Sequence, residues 1–151
     1  MSMVFPYRPV KTPRPIIHLG GRQIRPRPVI PITLVGLNAS FLVHGLLDTG
    51  SDDTVFPERI ARALGLDLNQ APRISAVGIG SGQALLRFAQ VTLRLATHSE
   101  RREWKAWIGF TSASLPYATL GYAGFLQFFD VHFRGAREEV ELTVNSLYPG
   151  S

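Results

Sequence analysis

Apolar and polar residues alternate with a period of two along much of this chain. Ile30, Ile32 and Leu34 alternate with Pro31, Thr33 and Val35, the spacing of a strand that buries one face. Gly36-Leu37-Asn38 reads as a turn into a second strand, Ser40 to Leu47. A helical signal interrupts the pattern. Pro57 stands at an N1 position, Ile60, Ala61 and Leu64 form an apolar stripe, and Gly65 supplies the stop. Residues 74–95 then read as a long hairpin around a glycine-rich turn, with Val91, Leu93 and Leu95 alternating on the return strand. A further strand is expected over Glu103 to Phe110 and a second short helix around Tyr122 to Phe128. Two closing strands, Asp130 to Phe133 and Glu139 to Val144, complete the pattern. The chain is therefore predicted to be mostly β, a small closed or partly open barrel with one or two short helices.

Composition fits one domain of this kind. The chain has 151 residues, 45% of them hydrophobic, enough for a single core. Its 14 Gly and 11 Pro suit many short strands joined by tight turns. No internal repeat or second domain is visible. Residues 1–27 read as a flexible Pro/Arg-rich leader or arm, and residues 28–148 as the folded domain.

Charge raises the question of nucleic acid, because the net charge is +5 and the isoelectric point about 10.2. Arg8, Lys11, Arg14, Arg22, Arg25 and Arg27 are interleaved with Pro9, Pro13, Pro15 and Pro26 in the first segment. A segment of that composition reads first as an extended arm, and no aromatic-rich RNA-binding signature accompanies it, so nucleic acid is set aside as a partner at this level. The absence of cysteine excludes disulfides, thiolate catalysis and Cys-based zinc sites. His18, His44, His98 and His132 show no metal-ligand spacing, and neither a metal nor a cofactor is expected. Gly78-Ile79-Gly80-Ser81-Gly82 lacks the Lys of a phosphate-binding loop and the spacing of a nucleophile elbow. The first residues lack the apolar core of a signal peptide, and no run approaches the ~20 apolar residues of a membrane span. The expectation is a cytoplasmic protein without a membrane partner.

The chemistry concentrates in Leu46-Leu47-Asp48-Thr49-Gly50-Ser51-Asp52-Asp53-Thr54-Val55. An apolar strand runs into a turn that presents a carboxylate, a hydroxyl and a glycine in succession. Glycine allows a sharp bend and close approach of another group. The hydroxyls of Thr49 and Ser51 can hold a carboxylate in place.

These ten residues resemble the active-site loop of the retroviral-type aspartic proteases, the retropepsins. Two further features follow in that family's order. Gly78 to Gly82 resembles the tip of the flap, and Thr119-Leu120-Gly121 the apolar-apolar-Gly element that packs behind the active-site loop. The resemblance spans Val29 to Val144. It implies one lobe of an acid-protease barrel per chain, and an aspartic endopeptidase that works as a homodimer on peptide or protein substrates. Asp48, Thr49 and Gly50 would be the catalytic set, each chain lending one Asp48. Asp52, Asp53, Ile79, Gly80, Ser81 and Gly82 would bind substrate. The family usually places Arg after the late glycine, paired with the first acid of the Asp-Asp step. This chain has Tyr122 there, which leaves Asp52 in need of another partner, with Arg25 and Arg27 as candidates. The alternative is a domain of the same fold that dimerises or binds peptides without cleaving them.

Overall fold

The computed structural model describes residues 2–77 and 83–151. In chain order the strands are β1 (Ser2–Pro6), β2 (Arg8–Ile16), β3 (Arg22–Arg27), β4 (Val29–Val35), β5 (Ser40–Leu47) and β6 (Val55–Pro57). The helix α1 (Glu58–Ala63) follows, then β7 (Arg73–Val77), β8 (Gln83–Ala96), β9 (Arg101–Thr111), β10 (Ala118–Leu120), β11 (Phe129–Arg134) and β12 (Glu139–Val144). The fold is mostly β with one short α-helix.

The main sheet has the order β4-β5-β10-β6-β9-β8-β7, and β4 also pairs with β8. That extra pairing, Thr33↔Arg94 to Val35↔Thr92, brings edge strand β4 onto β8, the last strand but one, and closes all but β7 into a barrel. The alternation seen in the sequence fills it. Ile30, Ile32, Leu34, Leu93, Leu95, Ile108 and Leu120 are fully buried, and Trp104 and Phe110 nearly so. Burying each such side chain contributes about 1.5–3 kcal/mol, so these positions dominate the stability of the domain. Trp104 adds a specific contact, its indole N–H donating to the Gly124 carbonyl at 3.1 Å while Phe125, Phe129 and Tyr148 meet it edge-on. Trp107, by contrast, stands largely exposed on the outer face of the same strand.

The N-terminal segment differs from the expected flexible leader. Ser2–Pro6 pairs antiparallel with β12, which in turn pairs with β11, and Met3 and Phe5 are buried in the core cluster. The chain then forms a ribbon in which β2 and β3 pair only with each other. The reason lies in β1 itself, whose apolar Met3 and Phe5 alternate with outward Ser2, Val4 and Pro6 over only five residues.

Tyr122 to Phe128 does not form the expected helix. Gly124 takes a left-handed φ of 89°, which ends any helical run, and only a single 3-10 turn, Leu126–Phe128, remains. In α1, Pro57 is the N-cap, one position before the expected N1, and Gly65 ends the helix with φ 77° as the spacing predicts.

Candidate active site

The position of Asp48 follows from an unusual strand placement. β5 and β6 are neighbours in sequence, yet β10 lies between them, parallel to β5 and antiparallel to β6. The chain leaves β5 at Asp48, passes across the end of β10 and re-enters the sheet at Val55. Gly45 makes this insertion possible. A Cβ there would come within 2.7 Å of the Leu120 side chain, so the inserted strand packs directly onto bare backbone.

Main-chain hydrogen bonds hold both halves of loop 48–54. In the first half, the Asp48 N–H donates to the Leu120 carbonyl at 3.1 Å and the Ser51 N–H to the Asp48 carbonyl at 3.2 Å. The Gly50 N–H donates to Asp48 Oδ1 at 2.9 Å, a charge-assisted contact that orients the carboxylate. The second half is clamped onto the segment after β10. Tyr122 N–H donates to Ser51 C=O and Ala123 N–H to Asp52 C=O, each at 2.9 Å. The amide of buried Thr54 donates to Ala123 C=O at 3.1 Å, and its carbonyl accepts from Gly109 N–H at 2.9 Å. The result is a carboxylate, half-buried, on a loop whose backbone has little freedom to move.

The structure brings Asp48, Thr49, Gly50, Asp52 and Asp53 into this one loop. Thr49, Gly50 and Asp52 are exposed, and Asp53 is half-buried. Ile79, Gly80, Ser81 and Gly82 lie outside the described residues. The strands that lead to them are antiparallel and in register, from Arg73↔Arg87 to Val77↔Gln83.

Among the described residues no cation lies within 4 Å of the Asp52 carboxylate, and neither Arg25 nor Arg27 reaches it within the chain. His44 is not a partner of Asp48 either, since its Nε2 accepts from Arg8 Nη1 at 3.0 Å. Burial first, then the Arg8 charge, hold the His44 pKa below the ordinary histidine value, consistent with a neutral ring that can accept. Two cavities of about 410 and 400 Å³ open beside α1 and residues 111–118, and none of their lining residues belongs to loop 48–54.

Three residues are essential to this geometry; Gly45 carried no role in the sequence, whereas Thr54 and Gly121 lay within the acid loop and the apolar-apolar-Gly element without a contact assigned to either. Thr54 ties the loop to both β9 and the post-β10 segment, Gly45 admits Leu120, and Gly121 lets the two segments touch. A glycine in the middle of the apolar strand 40–47 was the available signal for Gly45.

Asp53 carries a pH signature. Burial, and then the neighbouring Asp52 charge, push its carboxyl above the usual Asp range. The folded chain therefore holds this proton more tightly than the unfolded chain. That contribution favours the fold at low pH and is lost as pH rises through the folded value. Asp53→Asn, which cannot ionise, is expected to raise the urea midpoint at neutral pH. The advantage should vanish below about pH 3, where the unfolded Asp is protonated too. Equal midpoints for the two proteins at neutral pH would contradict the assignment.

No family model matches the chain, and no curated protein does. Solved structures do. A retropepsin-like aspartic protease from Rickettsia conorii superposes with a TM-score of 0.55 at 15% identity, covering 94% of this chain and 90% of that one. The retroviral protease-like domain of Ddi1 from Leishmania major gives a TM-score of 0.48 at 14% identity over 83% and 94% of the two chains. EIAV protease complexed with the inhibitor HBY-793 gives 0.37 at 19% identity over 63% and 81%. Identities this low speak to architecture alone. The Rickettsia match, over nearly the whole of both chains, establishes that this chain has a retropepsin-like fold.

Proposed function

We propose that the protein is an aspartic endopeptidase, active as a homodimer, that hydrolyses peptide bonds with a water activated between two Asp48 carboxylates. One observation carries the reading: on a retropepsin-like fold, the chain's single Asp-Thr-Gly sits on a loop fixed from both sides by β10 and the residues after it. One chain supplies one such carboxylate, whereas this chemistry needs two. A two-fold dimer supplies the second from an identical surface.

Carboxylates about 3 Å apart cannot both ionise, so the pair shares one proton. The ionised member takes a proton from water as it attacks the scissile carbonyl, and the protonated member donates to the carbonyl oxygen. Thr49 braces the opposite loop, and Gly50 lies beside the reacting group. Asp52 and Asp53 line the groove, and Ile79, Gly80, Ser81 and Gly82 close over an extended peptide held as an added strand. The reaction calls for no metal and no cofactor.

Tyr122 in place of Arg, with no cation on Asp52 among the described residues, favours the second reading: a dimerising or peptide-binding module without cleavage. Dilution separates the two. Below the dimer dissociation constant, a tenfold dilution should lower hydrolysis per chain about tenfold, by mass action. A pepstatin-type inhibitor should block what remains. Constant activity per chain in a sample that sediments as monomer would exclude the shared site. Silence on a mixed peptide library at high concentration would favour the module.

A further inference from the structure

The β2–β3 ribbon takes no part in the site, and its charge is one-sided. The first 47 residues hold six Lys and Arg and no Asp or Glu. Of sixteen cations and eleven acids in the whole chain, ten and eleven remain for the rest, so the net positive charge resides in the ribbon.

Strand pairing turns this composition into a surface. Arg8 stands directly across from Arg27, and Val10 across from Arg25, so three arginines share one face of the ribbon. Residues two apart along a strand lie about 6.6–6.8 Å apart on one face. Lys11, across from Ile24, belongs to the other face, and Arg14 is exposed near the turn. Like charges directly across a ladder disfavour it unless something offsets them. Arg22 finds a counter-charge, Glu138 at 3.3 Å. Among the described residues Arg8, Lys11, Arg14, Arg25 and Arg27 have no carboxylate within 4 Å. The base of the ribbon adds none, because Arg8 donates to the imidazole of His44.

Two features narrow the occupant. Pro9, Pro13, Pro15 and Pro26 remove amide donors from the strands, which works against adding another strand of protein at the edges. Residues 8–27 contain no Phe, Tyr or Trp, so the ribbon offers no platform on which unpaired bases could stack. What remains is a row of cations suited to a regular polyanion. A duplex presents one phosphate charge per ~1.7 Å of axis, and β2, nine residues long, reaches about 30 Å. We propose that the β2–β3 ribbon binds the phosphate backbone of duplex nucleic acid without reading its sequence.

The test uses the full chain and fluorescence anisotropy with labelled duplexes of about 20 base pairs. DNA and RNA of one mixed sequence are run side by side to tell which source is preferred. Four phosphate contacts, from Arg8, Arg14, Arg25 and Arg27, give a slope of about −3.6 in log affinity against log salt, a loss on the order of 150-fold between 50 and 200 mM. Arg14→Gln, Arg25→Gln and Arg27→Gln together should reduce that loss to about 3.5-fold, since each removed cation takes about one unit of slope with it. Arg14→Lys with Arg25→Lys keeps the charge and should keep the slope, which separates charge from any effect on folding. The proposal is overturned if the triple variant retains the wild-type slope or if no duplex binds at 50 mM salt. It also falls if vesicles containing phosphatidylserine bind more tightly than the duplexes, with exposed Ile17 at the ribbon's turn then marking a membrane contact.

Discussion

Asp48→Asn is expected to remove peptide hydrolysis while leaving the fold intact. Asn matches Asp in shape, and its Oδ1 can still accept the Gly50 N–H that now lies at 2.9 Å. The loop should keep its place, with a urea midpoint corresponding to a change within about 0.5 kcal/mol. The chemistry does not survive, because an amide neither takes a proton from water nor shares one with its twin. General acid–base catalysis of this kind is worth about 10²–10⁴-fold, and a homodimer loses both members at once, so kcat/KM should fall by at least that factor.

Mixing offers a sharper readout. Equal amounts of wild type and variant, allowed to exchange partners, leave about a quarter of the dimers with two intact carboxylates. Activity should settle near that fraction. Wild-type turnover in the pure variant would remove Asp48 from the mechanism. The pH profile gives an independent check. The pair must carry one proton, so activity should peak on the acidic side, and a profile that climbs steadily to pH 9 would contradict a shared proton.

Gly121→Ala should be the most damaging small substitution around the acid loop. An added Cβ would lie 2.2 Å from the Asp53 carbonyl oxygen and 2.7 Å from the Ser51 carbonyl oxygen. Both are backbone atoms, so no side chain can rotate out of the way. The loop that carries Asp48 must separate from the segment after β10, breaking bonds such as Tyr122 N–H to Ser51 C=O. Overpacking typically costs about 1–3 kcal/mol, and contact with a clamped backbone places this change at or beyond the upper end. A displacement of about 1 Å at a reacting group lowers rate about 10²-fold, so activity should fall even where the variant still folds. Gly135→Ala is the control, since nothing lies within 4 Å of that position, and its midpoint should hardly move. A Gly121→Ala protein as stable as the control would show that the close approach is not what holds the loop.

The elements legible in the sequence were those long enough to show a period. Glu139–Val144 appears with the expected bounds and Val29–Val35 within one residue, because each alternates over six or more positions, while Ser40–Leu47 appears with its expected bounds as an apolar run between the Gly36-Leu37-Asn38 turn and Asp48. β6 and β10, three residues each, are too short for any period, yet their placement decides where Asp48 sits. The ladder of β1 on β12 escaped because Met3 and Phe5 are separated from their partners by more than 130 residues of chain. The expected second helix failed at one residue, Gly124, where backbone conformation overrode the apolar spacing. For the candidate site, the acid loop itself was visible as a run of residue types. The clamp was not, because it consists of main-chain hydrogen bonds, which leave little trace in side-chain identity.

The threading of β10 has a consequence for how the molecule is made. Thr119 pairs with Leu46 on one side and Val55 on the other, so two neighbouring strands wait more than 60 residues for the strand that joins them. Such distant pairings are slow to find. During translation, at roughly 5–20 residues per second, the acid loop emerges from the ribosome long before its anchor. It is therefore the last part of the barrel to be set, and a nascent or truncated polypeptide ending before residue 118 lacks the bonds to Leu120, Tyr122 and Ala123 and keeps only the Gly109 N–H to Thr54 link to another strand.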